Sequence, residues 1–264
     1  MPELAEVEYY RRRWDCALGQ RISAVAAHAE KRVFRSISTR RWTELLRGSI
    51  LHSSEARGKL MLFRLSNKLW LGLHLGMTGE LRVERPDFKP AKHDHLVLYQ
   101  NARTLVFSDP RLFGRIRIHQ GEVAPAWWSS LPPSLLSKEF TPARMAGFLH
   151  RHRRLPIKAT LLLQSGFPGV GNWMADEILW RARVHPRTLS GALEEDRQRI
   201  LWRAIRLVAR GAMKHISPDF SDPPRGWFFN ERWGNGGKCP VHGVALARDS
   251  ISGRTTVWCS RCQP

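Results

Sequence analysis

Cys239 and His242 are separated by two residues, and after a gap of sixteen residues Cys259 and Cys262 repeat the spacing. Two short-spaced pairs of sulfur and imidazole ligands, with enough chain between them for a hairpin, are what a closed tetrahedral zinc site requires. Three of the chain's four cysteines fall within this 24-residue module. A disulfide framework would need even pairing and a secretory context, and neither is visible. The pattern predicts one structural Zn2+ held by Cys239, His242, Cys259 and Cys262, no organic cofactor, and Cys16 as an ordinary small buried residue.

A chain of 264 residues with 42% hydrophobic content can bury one or two cores. No apolar run approaches the length of a membrane span, and Glu3, Glu6 and Glu8 stand where a signal peptide would carry positive charge. The expectation is a soluble, cytoplasmic protein without membrane association, nucleoid-associated if bacterial. Forty-three Lys and Arg against 23 Asp and Glu give a formal charge of +20. That excess points to a polyanionic partner bound through phosphates. Charge alone leaves open a generic basic protein, such as a ribosome-associated one, but eleven tryptophans argue for packed structure over a basic tail.

Within residues 1–123, short apolar runs at Lys59–Leu65, Leu69–Leu75, Glu80–Val83, His95–Tyr99, Thr104–Phe107 and Gly114–His119 predict strands. Gly, Asn, Asp and Pro punctuate them, as at Ser66-Asn67, Gly76, Gly79 and Asp109-Pro110. The spacing suggests a sandwich or barrel of mostly antiparallel sheet, preceded by a helix over Leu4–Leu18. Residues 124–142, with Pro125, Pro132, Pro133 and Pro142, are expected to be a linker. Residues 143–235 turn helical, with candidates at Ala143–His150, Ile157–Gln164, Asn172–Arg183 and Glu194–His215, and residues 236–264 form the metal module. Ser217 to Asn235 is rich in Pro and Gly and predicts irregular chain. There is no internal repeat.

Between two of the predicted helices, Gln164 to Asn172 reads QSGFPGVGN. Its glycines allow a tight turn and close backbone approach, and Asn172 is well placed to cap the following helix. Free amides at such a helix start suit phosphate oxygens. Met174 stands where a dinucleotide fingerprint has its third glycine, so that reading fails. Taken alone, the turn is as compatible with a structural helical hairpin as with a binding one.

The amino-terminal Pro2-Glu3-Leu4-Ala5-Glu6-Val7-Glu8, added to this turn and the metal module, resembles the formamidopyrimidine-DNA glycosylase and endonuclease VIII family. Further matches follow in order along the whole chain: Arg57-Gly58-Lys59, His74-Leu75-Gly76-Met77-Thr78-Gly79, Lys92-His93-Asp94-His95 and Asp109-Pro110-Arg111-Leu112-Phe113-Gly114. The resemblance implies an α+β fold: an N-terminal β-sandwich-like domain with a helix, then a helix-two-turn-helix domain with a zinc-finger β-hairpin, and DNA in the cleft between. It also implies a monomer acting on damaged double-stranded DNA.

Within that resemblance Pro2, exposed once Met1 is removed, is the nucleophile. A terminal amine titrates near neutrality, so an unprotonated fraction is available to attack sugar C1′. Glu3 is the acid/base for sugar ring opening. Lys59 matches the lysine that assists β-elimination, and Arg254, in the hairpin between the metal pairs, matches the arginine of δ-elimination. Met77, Arg111 and Phe113 match the side chains that fill the void left by an extruded nucleotide. His74, His93, Arg111, Arg154, Lys158 and Asn172 correspond to positions near the DNA backbone, and Glu6 to a carboxylate supporting the nucleophile. In isolation Met77 and Phe113 would be read as core residues, and Lys59 and Arg254 as surface charges.

Two positions depart from the family pattern. Ala5 replaces the commoner proline, and His242 replaces the usual fourth cysteine of the oxidised-purine branch, leaving the site one unit less negative. The expected activity is a bifunctional DNA glycosylase and abasic-site lyase acting on oxidised purines through a Schiff base on Pro2. An endonuclease VIII-like preference for oxidised pyrimidines or bulky adducts is the alternative enzyme. A catalytically silent damage-binding protein is the alternative of another class, and a zinc-ribbon RNA-binding protein a more distant one.

Overall fold

Met61, Phe63 and Leu65 on one run, and Leu69, Leu71 and Leu73 on the next, point to one face of a sheet and are all fully buried. In the computed structural model, which describes residues 1–28, 31–34 and 39–264, these runs form adjacent strands. The chain divides into two compact units, Met1–Pro2 with Glu6–Leu131, and Glu3–Ala5 with Pro132–Pro264.

The first unit contains α1 (Leu4–Arg13, from Glu6 onward), β1 (Ala24–Ala27), α2 (Thr39–Leu46), β2 (Leu51–Arg57), β3 (Leu60–Leu65), β4 (Leu69–His74), β5 (Glu80–Glu84), β6 (Asp94–Tyr99), β7 (Thr104–Ser108), β8 (Arg115–Gln120) and the short α3 (Ala126–Ser129). Two four-stranded antiparallel sheets, ordered β1-β6-β7-β5 and β2-β3-β4-β8, face one core. Phe63 and Leu71 from one sheet and Leu96 and Phe107 from the other meet in it, with Trp14 beside Phe63 at a ring separation of 5.1 Å. This is the expected sandwich. The six predicted strands are present within a residue of their expected ends. β1 and β2 carry no apolar alternation, being small or polar apart from Val25 and Leu51, and are not legible as strands in the sequence. The helix predicted to Leu18 stops at Arg13 and continues as a single 3-10 turn, Asp15–Ala17. That turn corrects the reading of Cys16. Its side chain is exposed, with Sγ 3.4 Å from the Arg13 carbonyl.

The second unit is helical: α4 (Pro142–Arg151), α5 (Ile157–Leu161), α6 (Asn172–Ala182) and α7 (Glu195–His215), followed by the hairpin β9 (Ala247–Ile251) and β10 (Arg254–Trp258). In α7 the buried residues Leu201, Ala204, Ile205, Val208, Ala209 and Ala212 make one stripe, while Glu195 and Asp196 at its start and Lys214 and His215 at its end complement the helix dipole. Residues 124–142, expected as a linker, carry α3 and then Leu135 and Phe140, both buried in the helical core. Proline content hid these two anchors.

Many arginines lie across tryptophan faces. Arg57 is 5.1 Å from the Trp128 ring and Arg117 4.8 Å from Trp127 in the first unit, and Arg181 is 4.7 Å from Trp227 and Arg232 4.5 Å from Trp233 in the second.

Phe63→Ala should destabilise the first unit by about 3–5 kcal/mol, through lost burial and an unfilled cavity. Urea unfolding followed by tryptophan fluorescence measures it, and a change below about 1 kcal/mol would contradict the shared core.

Candidate functional site

The start of α6 is buried, so its first amides need acceptors. Gly171 precedes the helix and has no side chain to offer. The acceptors come from the other end of the sequence. Glu3, only 3% exposed, takes the Gly171 amide at 2.8 Å and the Met174 amide at 3.1 Å on Oε2, and the Trp173 amide at 3.0 Å on Oε1. A Cβ at residue 171 would overlap the Glu3 carboxyl, so glycine is required for this approach. One residue on, the Leu4 amide donates to the Gly169 carbonyl at 3.0 Å. Asn172 is therefore not the expected cap. It is the first helical residue, and its Nδ2 donates to the Thr255 carbonyl at 2.8 Å.

That last bond ties α6 to β10 and thus to Arg254, which is exposed at the first position of β10. The hairpin tip is Ser252-Gly253, with φ of 50° and 72°, the paired left-handed conformations of a two-residue I′ turn. Glu3, Asn172 and the strand bearing Arg254 are in this way joined through the amino end of one helix. Pro2, half-buried and bonded to an exposed Met1, directly precedes Glu3.

Lys158, expected at the DNA backbone, is instead fully buried. Its Nζ donates to Asp176 Oδ1 at 2.5 Å and to the Asn172 carbonyl at 2.8 Å. Burial pushes its pKa down against the pull of Asp176. Arg232 completes the cluster, donating to Asp176 Oδ2 at 2.7 Å and 3.1 Å. The sequence called for a basic residue there but gave no sign of two acidic neighbours, Asp176 and Glu177, turned inward from a wholly buried helix face. Arg154 is exposed in the turn after α4.

In the first unit Lys59 is 8% exposed and occupies the two-residue turn between β2 and β3, where Gly58 takes the positive φ of 60°. His74 ends β4, and its Nδ1 accepts the Gly76 amide at 3.0 Å. His93 is half-buried, its carbonyl accepting the Asp109 amide at 3.0 Å. Met77 is half-buried on the loop after β4. Arg111 and Phe113 are exposed on the loop after β7, the guanidinium 5.1 Å from the ring centre. Phe113 is 46% exposed, which a core residue would not be. Glu6 is half-buried on α1.

Cys239, His242, Cys259 and Cys262 bring their ligand atoms within 4.8 Å of one another. Cys239 and Cys262 sulfurs are 3.6 Å apart, and His242 Nδ1 lies 3.8, 3.8 and 3.3 Å from the sulfurs of Cys239, Cys259 and Cys262. A tetrahedral ion with sulfur at ~2.3 Å and nitrogen at ~2.0 Å needs separations of about 3.5–3.8 Å, so the four residues fit one metal ion. Burial opposes ionisation of Cys239, but the backbone amides of His242 and Val241 bring its pKa down to about 6; burial and the neighbouring thiols push Cys262 up to about 12. The module packs through Val257 on Trp180 and Phe228. Among the described residues, no helix is long and apolar enough to cross a membrane.

Comparison with known proteins places the chain in one family. Residues 1–116 match the profile of the formamidopyrimidine-DNA glycosylase N-terminal domain, and residues 131–220 that of the formamidopyrimidine-DNA glycosylase H2TH domain. The chain is 34% identical over 273 residues to a formamidopyrimidine-DNA glycosylase of Roseiflexus sp., covering both proteins completely. It is 36% identical over 279 residues to one of Thermus thermophilus, covering 100% of this chain and 98% of that protein. The structure is similar to a complex between the wild-type Lactococcus lactis Fpg and an oxidized pyrimidine containing DNA, with a TM-score of 0.88, 28% identity and 99% of each chain covered. The same values hold for a complex of a Lactococcus lactis Fpg mutant with a Fapy-dG containing DNA.

Lys158→Met should lower stability by about 1–3 kcal/mol, because Asp176 Oδ1 and the Asn172 carbonyl lose their donor while Arg232 still offsets the buried carboxylate. The slope of log DNA affinity against log salt should stay unchanged. A slope reduced by about one, with stability intact, would instead make Lys158 a phosphate ligand.

Proposed function

The chain belongs to the formamidopyrimidine-DNA glycosylase family, whose members are DNA glycosylases of DNA repair; from that premise we propose that it excises oxidised purines, 8-oxoguanine and formamidopyrimidines, from damaged double-stranded DNA and then cleaves the abasic strand. The observation that carries the reading is the immobilised Glu3 carboxylate, held by three backbone amides immediately after the residue that becomes the amino terminus.

Removal of Met1 converts the Pro2 amide nitrogen into a secondary amine that titrates near ~8, leaving a reactive neutral fraction at physiological pH. The nitrogen attacks C1′, the glycosidic bond breaks, and the base leaves with a proton. Opening of the C1′–O4′ bond, with a proton delivered to O4′, gives an iminium; Glu3 manages that proton. The iminium acidifies C2′–H, and loss of that proton expels the 3′ phosphate in β-elimination, with Lys59 supporting the phosphate. A second elimination expels the 5′ phosphate, a step assigned to Arg254; the I′ turn and the Asn172–Thr255 bond, which fix its strand, support that assignment. Water hydrolyses the iminium and returns Pro2. His74, His93, Arg111, Arg154 and Asn172 are read as DNA contacts, Met77, Arg111 and Phe113 as the void-filling group, and Glu6 as an electrostatic support of the amine. The protein acts as a monomer, since a lesion has no two-fold axis to match.

Cys239, His242, Cys259 and Cys262 are read as the ligands of one structural Zn2+. Thiolate and imidazole donors at tetrahedral spacing, with no carboxylate or open position in the set, favour it. When bound, it would fix the two ends of the hairpin in which Arg254 directly follows the turn.

Borohydride reduction with duplex containing an abasic site should yield a covalent adduct that Pro2→Gly weakens and a blocked amino terminus abolishes. An undiminished adduct in the blocked protein would require another nucleophile, and no adduct in the free protein would leave only a binder. A second reading, excision of oxidised pyrimidines, is supported by the Lactococcus lactis complex with such DNA. Rates on 8-oxoguanine, formamidopyrimidine and thymine glycol duplexes decide between the two.

Elemental analysis should find one zinc per chain, lost in Cys259→Ser together with DNA affinity. Zinc uptake should release protons and weaken as pH falls, because Cys262 must give up a proton to bind. Cleavage and DNA affinity that survive complete metal loss would remove the structural role.

A further inference from the structure

Asp109 lies in the loop after β7, is fully buried, and takes no part in the chemistry above. Its carboxylate grips two separate loops. Oδ1 accepts the Thr78 hydroxyl at 2.9 Å and the Arg111 amide at 3.2 Å, and Oδ2 accepts the Gly114 amide at 2.6 Å. Its main chain is equally engaged. The amide donates to the His93 carbonyl at 3.0 Å, and the carbonyl lies 2.9 Å from His95 Nε2. Thr78 follows Met77, and Arg111 and Gly114 bracket Phe113, so one carboxylate reaches the loops of all three void-filling candidates.

The two loops are also interlocked through their backbones. Gly76 has φ +64°, and a Cβ there would overlap the main chain of Phe113 and Gly114. Leu112 is held at φ 58°, a left-handed conformation unfavourable for leucine, and the next side chain, Phe113, is turned outward. The three donors to the Asp109 carboxylate are neutral: one hydroxyl and two amides. A buried carboxylate without a cation among these donors is a poor stabiliser by itself. What it supplies is shape: two loops fixed as one platform.

We propose that Asp109 is a positioning residue that presets Met77, Arg111 and Phe113 as a single rigid wedge before DNA is bound. The proposal rests on the reading of those three as the void-filling group. Loops already ordered forfeit little conformational freedom when they enter the duplex, and the wedge reaches its place without a search. Arg111 also receives a fixed height above the orphaned base, because its own amide is bonded to Asp109.

Asp109→Asn removes one acceptor and puts an amide donor in its place, facing either Thr78 or Gly114. Thr78→Val removes a single bond and leaves the carboxylate. Excision from a fully paired duplex should fall roughly 10- to 100-fold in Asp109→Asn and less in Thr78→Val, as displacement of a positioning group by about 1 Å does. Borohydride trapping on an abasic site in a single strand, where no stack is opened, should fall far less, so the duplex-to-single-strand ratio drops. Discrimination among bases opposite the lesion should flatten, and 2-aminopurine opposite the lesion should report incomplete unstacking. A parallel loss on both substrates, or an unchanged ratio in both folded variants, would overturn the proposal. Should Asp109→Asn fail to fold, the Thr78→Val ratio decides. Absence of trapping in the unaltered protein would instead remove the underlying functional reading.

Discussion

A carboxylate 168 residues upstream of Gly171 completes the start of α6, and the placement of the chemical groups in the second unit depends on that bond set. A helix beginning inside a core leaves amides that water cannot reach, and each unmade bond costs about 1–3 kcal/mol. Glu3 answers three of them, so the amino-terminal segment is as fixed as the helix it caps. On the proposed reading of Pro2 as the nucleophile, a frayed terminus would lose the advantage of position; the bonds of Glu3 oppose such fraying. The reciprocal dependence matters equally: disturbing α6 moves Glu3, and disturbing Glu3 strips α6 of its cap.

The same helix carries Asp176 and Glu177 side by side in the interior. Lys158 and Arg232 meet the first; Arg181 and the Phe229 amide meet the second. Desolvation opposes ionisation in both Glu177, whose pKa is raised, and Lys158, whose pKa is lowered. Such pairs gain little net free energy over an apolar filling, yet losing one member is costly. Their effect is directional. They hold α5 on one side of α6 and the 228–232 segment, which opens with the 3-10 turn Phe228–Asn230, on another, and Asn172 extends the arrangement to β10.

Much of this was legible in the sequence, and the reasons for the rest are physical. Six strands and five helices followed from apolar period and turn residues, because each buries one face. β1 and β2 escaped because edge strands paired on one side need no apolar alternation. The convergence of Cys239, His242, Cys259 and Cys262 was evident from spacing alone. Asn172 was misassigned because local capping rules look at neighbouring residues, whereas Gly171 receives its cap from Glu3 through space. The resemblance puts Lys158 near the DNA backbone, and its burial on Asp176 is hidden because sequence does not reveal which polar residues of a helix turn inward. Asp109 stood inside a recognised motif without a role, since its partners Thr78 and Gly114 belong to different loops. Cys16 was expected inside because free cysteine usually is, but the helix ends before its face is covered.

The arginines set over indole rings qualify what the overall charge of +20 means. A guanidinium resting on a tryptophan face keeps its charge while its orientation is dictated by the ring beneath. Arg57, Arg117, Arg181 and Arg232 are thus part of the fold's masonry, and Arg232 is sealed inside it. The protein's long-range field draws on every cation it owns, but its grip on a polyanion draws only on those whose heads are still loose. Attraction at a distance and adhesion at contact are consequently set by two different populations of the same residue.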